Sequence, residues 1–112
     1  MDVSALLIEI AGVYSGHGWK LRRVLLRPET RAQLDRDLAG EEVSVVEAGI
    51  DAIWFSRPSH AGREAWELRL LSENPYALFE TFEADETPEE RDEMLLEMEN
   101  RMREYVSTKR SA

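Results

Sequence analysis

The chain has 112 residues, 43% of them hydrophobic and 33% charged, with a formal net charge of −9 and no cysteine. That length fits a single domain spanning 1–112, and the apolar share supports a folded core rather than a disordered tail. The missing cysteines exclude disulfides, thiolate catalysis and Cys-based zinc sites, and the acidic balance argues against nucleic acid and anionic lipid, which reward basic surfaces.

Val3, Leu6, Leu7, Ile10, Val13 and Tyr14 recur at helical spacing and predict a helix over 3–15, with Asp2 as its cap and Gly16 and Gly18 as its stop. Acidic residues at 2 and 9 break the pattern of an export signal, and no run reaches the ~18 apolar residues of a membrane span. A cytoplasmic location is expected. Residues 19–27 predict a strand. Pro28 suits the first position of a short helix ending at Gly40, with Leu34 and Leu38 on one face.

Segments 43–48, 50–57, 64–71 and 76–83 are rich in β-branched and aromatic residues and are separated by turn chemistry. If residues 59–62 close a hairpin, Arg57 faces Glu64, Phe55 faces Trp66 and Ile53 faces Leu68. If residues 73–76 close the next, Leu70 faces Phe79, Arg69 faces Glu80 and Leu71 faces Leu78. These pairs are chemically sensible, and they predict an antiparallel meander over 51–83. Ala48-Gly49 either turns a fourth strand back or marks a bulge in one long strand; the turn is preferred. Thr87-Pro88-Glu89-Glu90 reads as a capping box opening a helix over 88–106. Its apolar stripe runs through Met94, Leu95, Met98, Met102, Tyr105 and Val106, with Glu97/Arg101 and Glu99/Arg103 as outer pairs. The expected fold is α+β: an antiparallel sheet of four to five strands packed by an N-terminal, a short second and a long C-terminal helix.

In that register one sheet face carries Ile53, Phe55, Trp66, Leu68, Leu70 and Phe79. The other carries Ala52, Trp54, Leu71, Leu78 and Phe82, with Glu67, Arg69 and Glu80 among them. Both faces are apolar, so either the chain's own helices cover both or one is a docking surface. The main functional expectation is a protein-binding module, adaptor-, chaperone- or inhibitor-like. It would act through Trp54, Arg69, Leu71, Leu78 and Phe82 or through the acidic last helix. In size, acidity and architecture such a chain is similar to small bacterial secretion chaperones and immunity-type toxin inhibitors. A structural homodimer across the apolar face is one alternative. The other is a small-ligand binder or enzyme using the turns that hold His17 and His60, with Arg57 and Arg63. The histidines lack metal-ligand spacing, and no catalytic constellation, metal or cofactor is expected. The basic cluster Lys20, Arg22, Arg23 and Arg27 is split by strand alternation and is expected to pair with the chain's own acids.

Overall fold

The structure, a computed structural model, describes residues 3–33, 43–72 and 74–111. Helix α1 spans Val3–Gly16, strand β1 Lys20–Leu26, helix α2 Pro28–Gln33 and β2 Ser44–Glu47. Then follow β3 (Ala52–Pro58), β4 (Glu64–Leu70), β5 (Ala77–Phe82) and the long helix α3 (Pro88–Ser111). Asp2, Leu34, Leu38 and Gly40, which the sequence suggests as a cap, a shared helix face and a helix end, lie outside the described residues.

Local chemistry accounts for the element ends. Helix α1 closes in a Schellman motif: Trp19 N–H donates to the Tyr14 carbonyl at 3.0 Å and Gly18 N–H to the Ser15 carbonyl at 3.1 Å. Gly18 sits at φ 84°, where a side chain is strained. Helix α3 opens at Thr87, whose hydroxyl oxygen accepts from Glu90 N–H at 3.2 Å and donates to the Glu90 carboxylate. It continues beyond the expected end at 106, and Thr108 bonds back to the Glu104 carbonyl.

The five strands are ordered β2-β1-β3-β4-β5, and β1 and β2 run parallel while every other neighbour is antiparallel. The sheet is therefore mixed, not purely antiparallel. A parallel neighbour needs a crossover, and α2 lies in the connection from β1 to β2. Ala48-Gly49 neither closes a hairpin between adjacent strands nor bulges a continuous one. The segment steps over the end of β1, where Ala48 N–H donates to the Leu26 carbonyl at 2.9 Å, and the chain then enters β3 on the far side.

The meander β3-β4-β5 is present, in different registers from those expected. Three residues, His60–Gly62, form the first loop, and Ser59 N–H closes it on the Arg63 carbonyl at 2.8 Å. Ala61 and Gly62 both adopt positive φ there. The expected four-residue loop slips the ladder by one place. Arg57 in fact pairs with Ala65, Phe55 with Glu67 and Trp54 with Leu68. Beyond β4, Leu71 N–H donates to the Asp51 carbonyl, so the chain keeps following β3 before turning. Strand β5 begins at Ala77, directly after the expected turn, but β4 ends early at Leu70, so the ladder is displaced by three places and pairs Arg69 with Ala77, Leu68 with Leu78 and Glu67 with Phe79.

A one-place slip moves side chains to the opposite face. Trp66 and Leu68 therefore join Trp54, Leu25, Ala52 and Phe82 under Leu95, Met98 and Met102 of α3. Ile53, Phe55, Val24, Leu26 and Leu71 form the other layer under Leu7 and Ile10 of α1. Each large apolar side chain so buried contributes about 1.5–3 kcal/mol. The chain's own helices thus cover both sheet faces, α3 on one and α1 on the other.

A candidate anion-binding cleft

The structure divides the residues that the sequence proposes as one binding surface. Trp54 and Phe82 are buried on the α3 side, and Leu78 packs half-buried against the same cluster. Leu71 is buried on the α1 side, and Arg69 shares that side because it pairs with Ile53. Trp54, at 0% exposure, presents no surface to a partner. The histidine turns are partly joined: the Arg57 guanidinium donates to the His17 carbonyl at 3.1 Å and lies 4.6 Å from the Trp19 ring centroid. Arg63 turns instead to Glu83 at 2.9 Å, and both imidazoles are exposed. Among the described residues no group of three or more His, Asp or Glu side chains is placed to hold a metal ion. No described helix is long and apolar enough to cross a membrane.

The basic cluster Lys20, Arg22, Arg23 and Arg27, expected to be split by strand alternation, is instead gathered in part: Arg27 pairs with Asp51, and the other three come together. Strand β1 pairs Leu21 with Phe55 and Arg23 with Trp54, so Arg22 is an extra residue, a β-bulge. Leu21 faces the α1 layer, and after the bulge Arg23 faces α3, as does Lys20 opposite Ser56. Arg22 turns the same way, with its guanidinium 5.2 Å from the Trp66 ring centroid. Three cations that regular alternation would separate thus share one side of the sheet. Arg91 of α3 meets them, 5.5 Å from the same ring. Together with Leu21, Ser44, Trp66, Asp92 and Leu95 they line a cleft of about 350 Å³.

The ion pairs in the cleft are loose. Arg23 lies 3.7 Å from Glu99, and Arg91 lies 3.8 Å from both Glu64 and Asp92. Two pairs elsewhere are tight, Arg27–Asp51 at 3.1 Å and Arg63–Glu83 at 2.9 Å, and two are as loose, Arg31–Glu47 at 4.0 Å and Arg103–Glu99 at 3.9 Å. Beyond about 3.5 Å a charge contact carries no hydrogen bond, so the cleft guanidiniums keep donors to spare. Arg91 Nε is buried without a hydrogen-bond partner. Neither Lys20 nor Arg22 has a carboxylate within ion-pair distance among the described residues. Two guanidiniums against one ring repel each other, and an incoming oxyanion would relieve that repulsion. A second hollow, of about 440 Å³, is lined by Leu70, Ser72, Asn74, Tyr105, Val106 and Lys109. It holds one charged side chain and no convergence of donors.

On the α1 side Tyr14 stacks on Phe55, with ring centroids 4.1 Å apart, and its hydroxyl donates to the Glu67 carboxylate. Burial, reinforced by the Glu67 hydrogen bond and charge, pushes the Tyr14 phenol up from 10.0 to about 12, while Arg69 opposes the rise. Because the folded value lies above the unfolded one, the stabilisation is complete below pH 10 and is lost as pH rises towards 12. Tyrosinate absorbance should therefore show a late-ionising component that disappears in Tyr14→Phe. Equal alkaline titrations of the two proteins would contradict the buried pairing.

Compared with protein families, curated proteins and solved structures, the chain matches none.

Proposed function

We propose that this chain is a binding protein for a small ligand bearing an oxyanion, phosphate or carboxylate. The anionic group sits among Arg22, Arg23 and Arg91, with Lys20 at the exposed rim. The observation that carries this reading is the bulge at Arg22, which gathers cations on one side in a chain of net charge −9. Bulges commonly re-aim side chains beside functional sites. The cleft volume of about 350 Å³ suits a small molecule rather than a polymer. Trp66, only 5% exposed, serves as the floor against which two guanidiniums are oriented.

Calorimetric titration with pyrophosphate and, separately, with citrate tests the proposal and distinguishes the two oxyanion classes. At least one should bind with one-to-one stoichiometry and weaken as salt is raised. Arg22→Gln removes a charge-assisted donor, about 1.5–3 kcal/mol, and should weaken binding by roughly ten- to a hundredfold without altering the fold. Wild type that binds neither anion, or a variant that binds equally well, would overturn the proposal.

A further inference from the structure

Independently of the cleft, we infer that β5 pairs with β5 of a second copy of this chain, antiparallel about a two-fold axis at Phe79, joining two sheets into one. Strand β5 is an edge of the sheet, six residues long (ALFETF), and carries no proline, lysine or bulge. Those are among the devices that keep edges from pairing, and the one charge on β5 is Glu80. The opposite edge, β2, has only four residues.

The hydrogen-bond phase shows which groups are open. Leu70 N–H donates to the Tyr76 carbonyl at 2.9 Å, and the same register continues through Leu68–Leu78 and Trp66–Glu80. Residues 78, 80 and 82 therefore direct their backbone groups at β4, while Ala77, Phe79 and Thr81 direct theirs outward. Two outward N–H groups near the strand end are capped locally, Thr81 by Glu80 at 3.2 Å and Glu83 by Glu86 at 2.9 Å. No such cap serves Ala77 or Phe79 among the described residues.

A two-fold axis at Phe79 makes every pair of outward residues a hydrogen-bonded pair: Phe79 with Phe79, Ala77 with Thr81 of the copy. The Thr81 amide exchanges its Glu80 cap for a carbonyl. On the other parity Leu78 meets Glu80, so no like charges are opposed. Centring the axis one residue along, on Glu80, stacks two carboxylates and is disfavoured. Charge favours the same place. The chain repels its copy through a net −9, yet β5 contains one ionisable residue, and Glu67 on the neighbouring strand accepts from the Tyr14 hydroxyl within its own chain. Phe79, 57% exposed and edge-on to Trp19 at 6.4 Å, gives the pairing an aromatic centre.

Sedimentation equilibrium from about 10 μM to 1 mM, the range in which a small interface associates, is the first test. A dimer should accumulate with concentration, and Phe79→Lys should remain monomeric. Ile8→Glu, on the outer side of α1, should still dimerise. Hydrogen exchange of wild type supplies a reading that needs no variant: the Ala77 and Phe79 amides should slow about tenfold between the dilute and concentrated samples. A wild-type monomer throughout, a dimer that survives Phe79→Lys, or Ala77 and Phe79 amides indifferent to concentration would each overturn the inference.

Discussion

Trp54→Ala is expected to lower the unfolding free energy by about 3–5 kcal/mol, the cost of removing a large aromatic side chain from a core. Trp54 is 0% exposed and lies at the centre of the layer formed with Trp66, Leu68, Leu95, Met98 and Met102. Its ring meets that of Trp66 edge-on at 5.9 Å, and its indole N–H donates to Glu99 at 3.0 Å. Truncation leaves a cavity and also strips a buried carboxylate of its hydrogen-bond donor. Among the described residues Glu99 then retains the long contacts to Arg23 at 3.7 Å and Arg103 at 3.9 Å. Trp54→Phe separates the two contributions: it keeps much of the volume and loses the hydrogen bond, at about 1–3 kcal/mol. Small domains are stable by only about 5–15 kcal/mol, so Trp54→Ala should shift the urea midpoint far down. Trp54→Glu, which places a charge there, should not fold. A loss below about 1 kcal/mol for Trp54→Ala would contradict the packing of α3 on this face.

The second large effect is expected at Asp51, a buried carboxylate where β1, α2 and the turn into β3 meet. It accepts from Arg27 N–H at 2.8 Å, Arg27 Nε at 3.2 Å and the Thr30 hydroxyl at 2.8 Å. Asp51→Ala leaves the buried Thr30 hydroxyl and the Arg27 amide without an acceptor, and each such loss costs about 1–3 kcal/mol. The Arg27 side chain is 36% exposed and regains water, which lowers its share. A total of about 2–6 kcal/mol is therefore expected from the hydroxyl and the amide, with little added by the guanidinium. Asp51→Asn, which keeps one acceptor oxygen, should cost less. Amides of β2 should lose protection more than those of β5, because the turn that positions β2 over the end of β1 is anchored here. Equal losses across the sheet would show that Asp51 has no local anchoring role.

The sequence carried the helices and the meander because their signals are local: apolar periodicity, the glycine stop after α1 and the Thr87 cap. Register is a different problem. His60–Gly62 closes as three residues because Ala61 accepts a positive φ that is usual for glycine, so counting four loop residues displaced every β3–β4 pair by one, while the β4–β5 pairs are displaced by three. The displaced pairs looked sensible because Trp54, Phe55 and Trp66 suit either face. The parallel pairing of β1 with β2 leaves no mark in either strand; it follows from which neighbour a strand finds after a crossover. Partner-binding residues inferred from the slipped register were accordingly spread over both faces.

The cleft leaves a fainter mark in the sequence. In Leu21-Arg22-Arg23-Val24-Leu25-Leu26, Leu21 and Val24 share the α1 layer although they are three apart. Strict alternation cannot place both there. A bulge between them is the simplest reconciliation, and it collects Arg22 and Arg23 on one side. The shared layer of Leu21 and Val24 and the contribution of Arg91, distant in sequence, both come from the packed structure.

The most direct measurement is a two-dimensional amide and side-chain NMR spectrum of the nitrogen-labelled protein during titration with pyrophosphate or citrate. The anion-binding account predicts saturable shifts of the Arg91 Nε–H and Trp66 indole signals, with the Trp19 indole, on the α1 side of the sheet, moving far less. Shifts that stay linear with anion concentration, or that spread evenly over the three indoles, would contradict it.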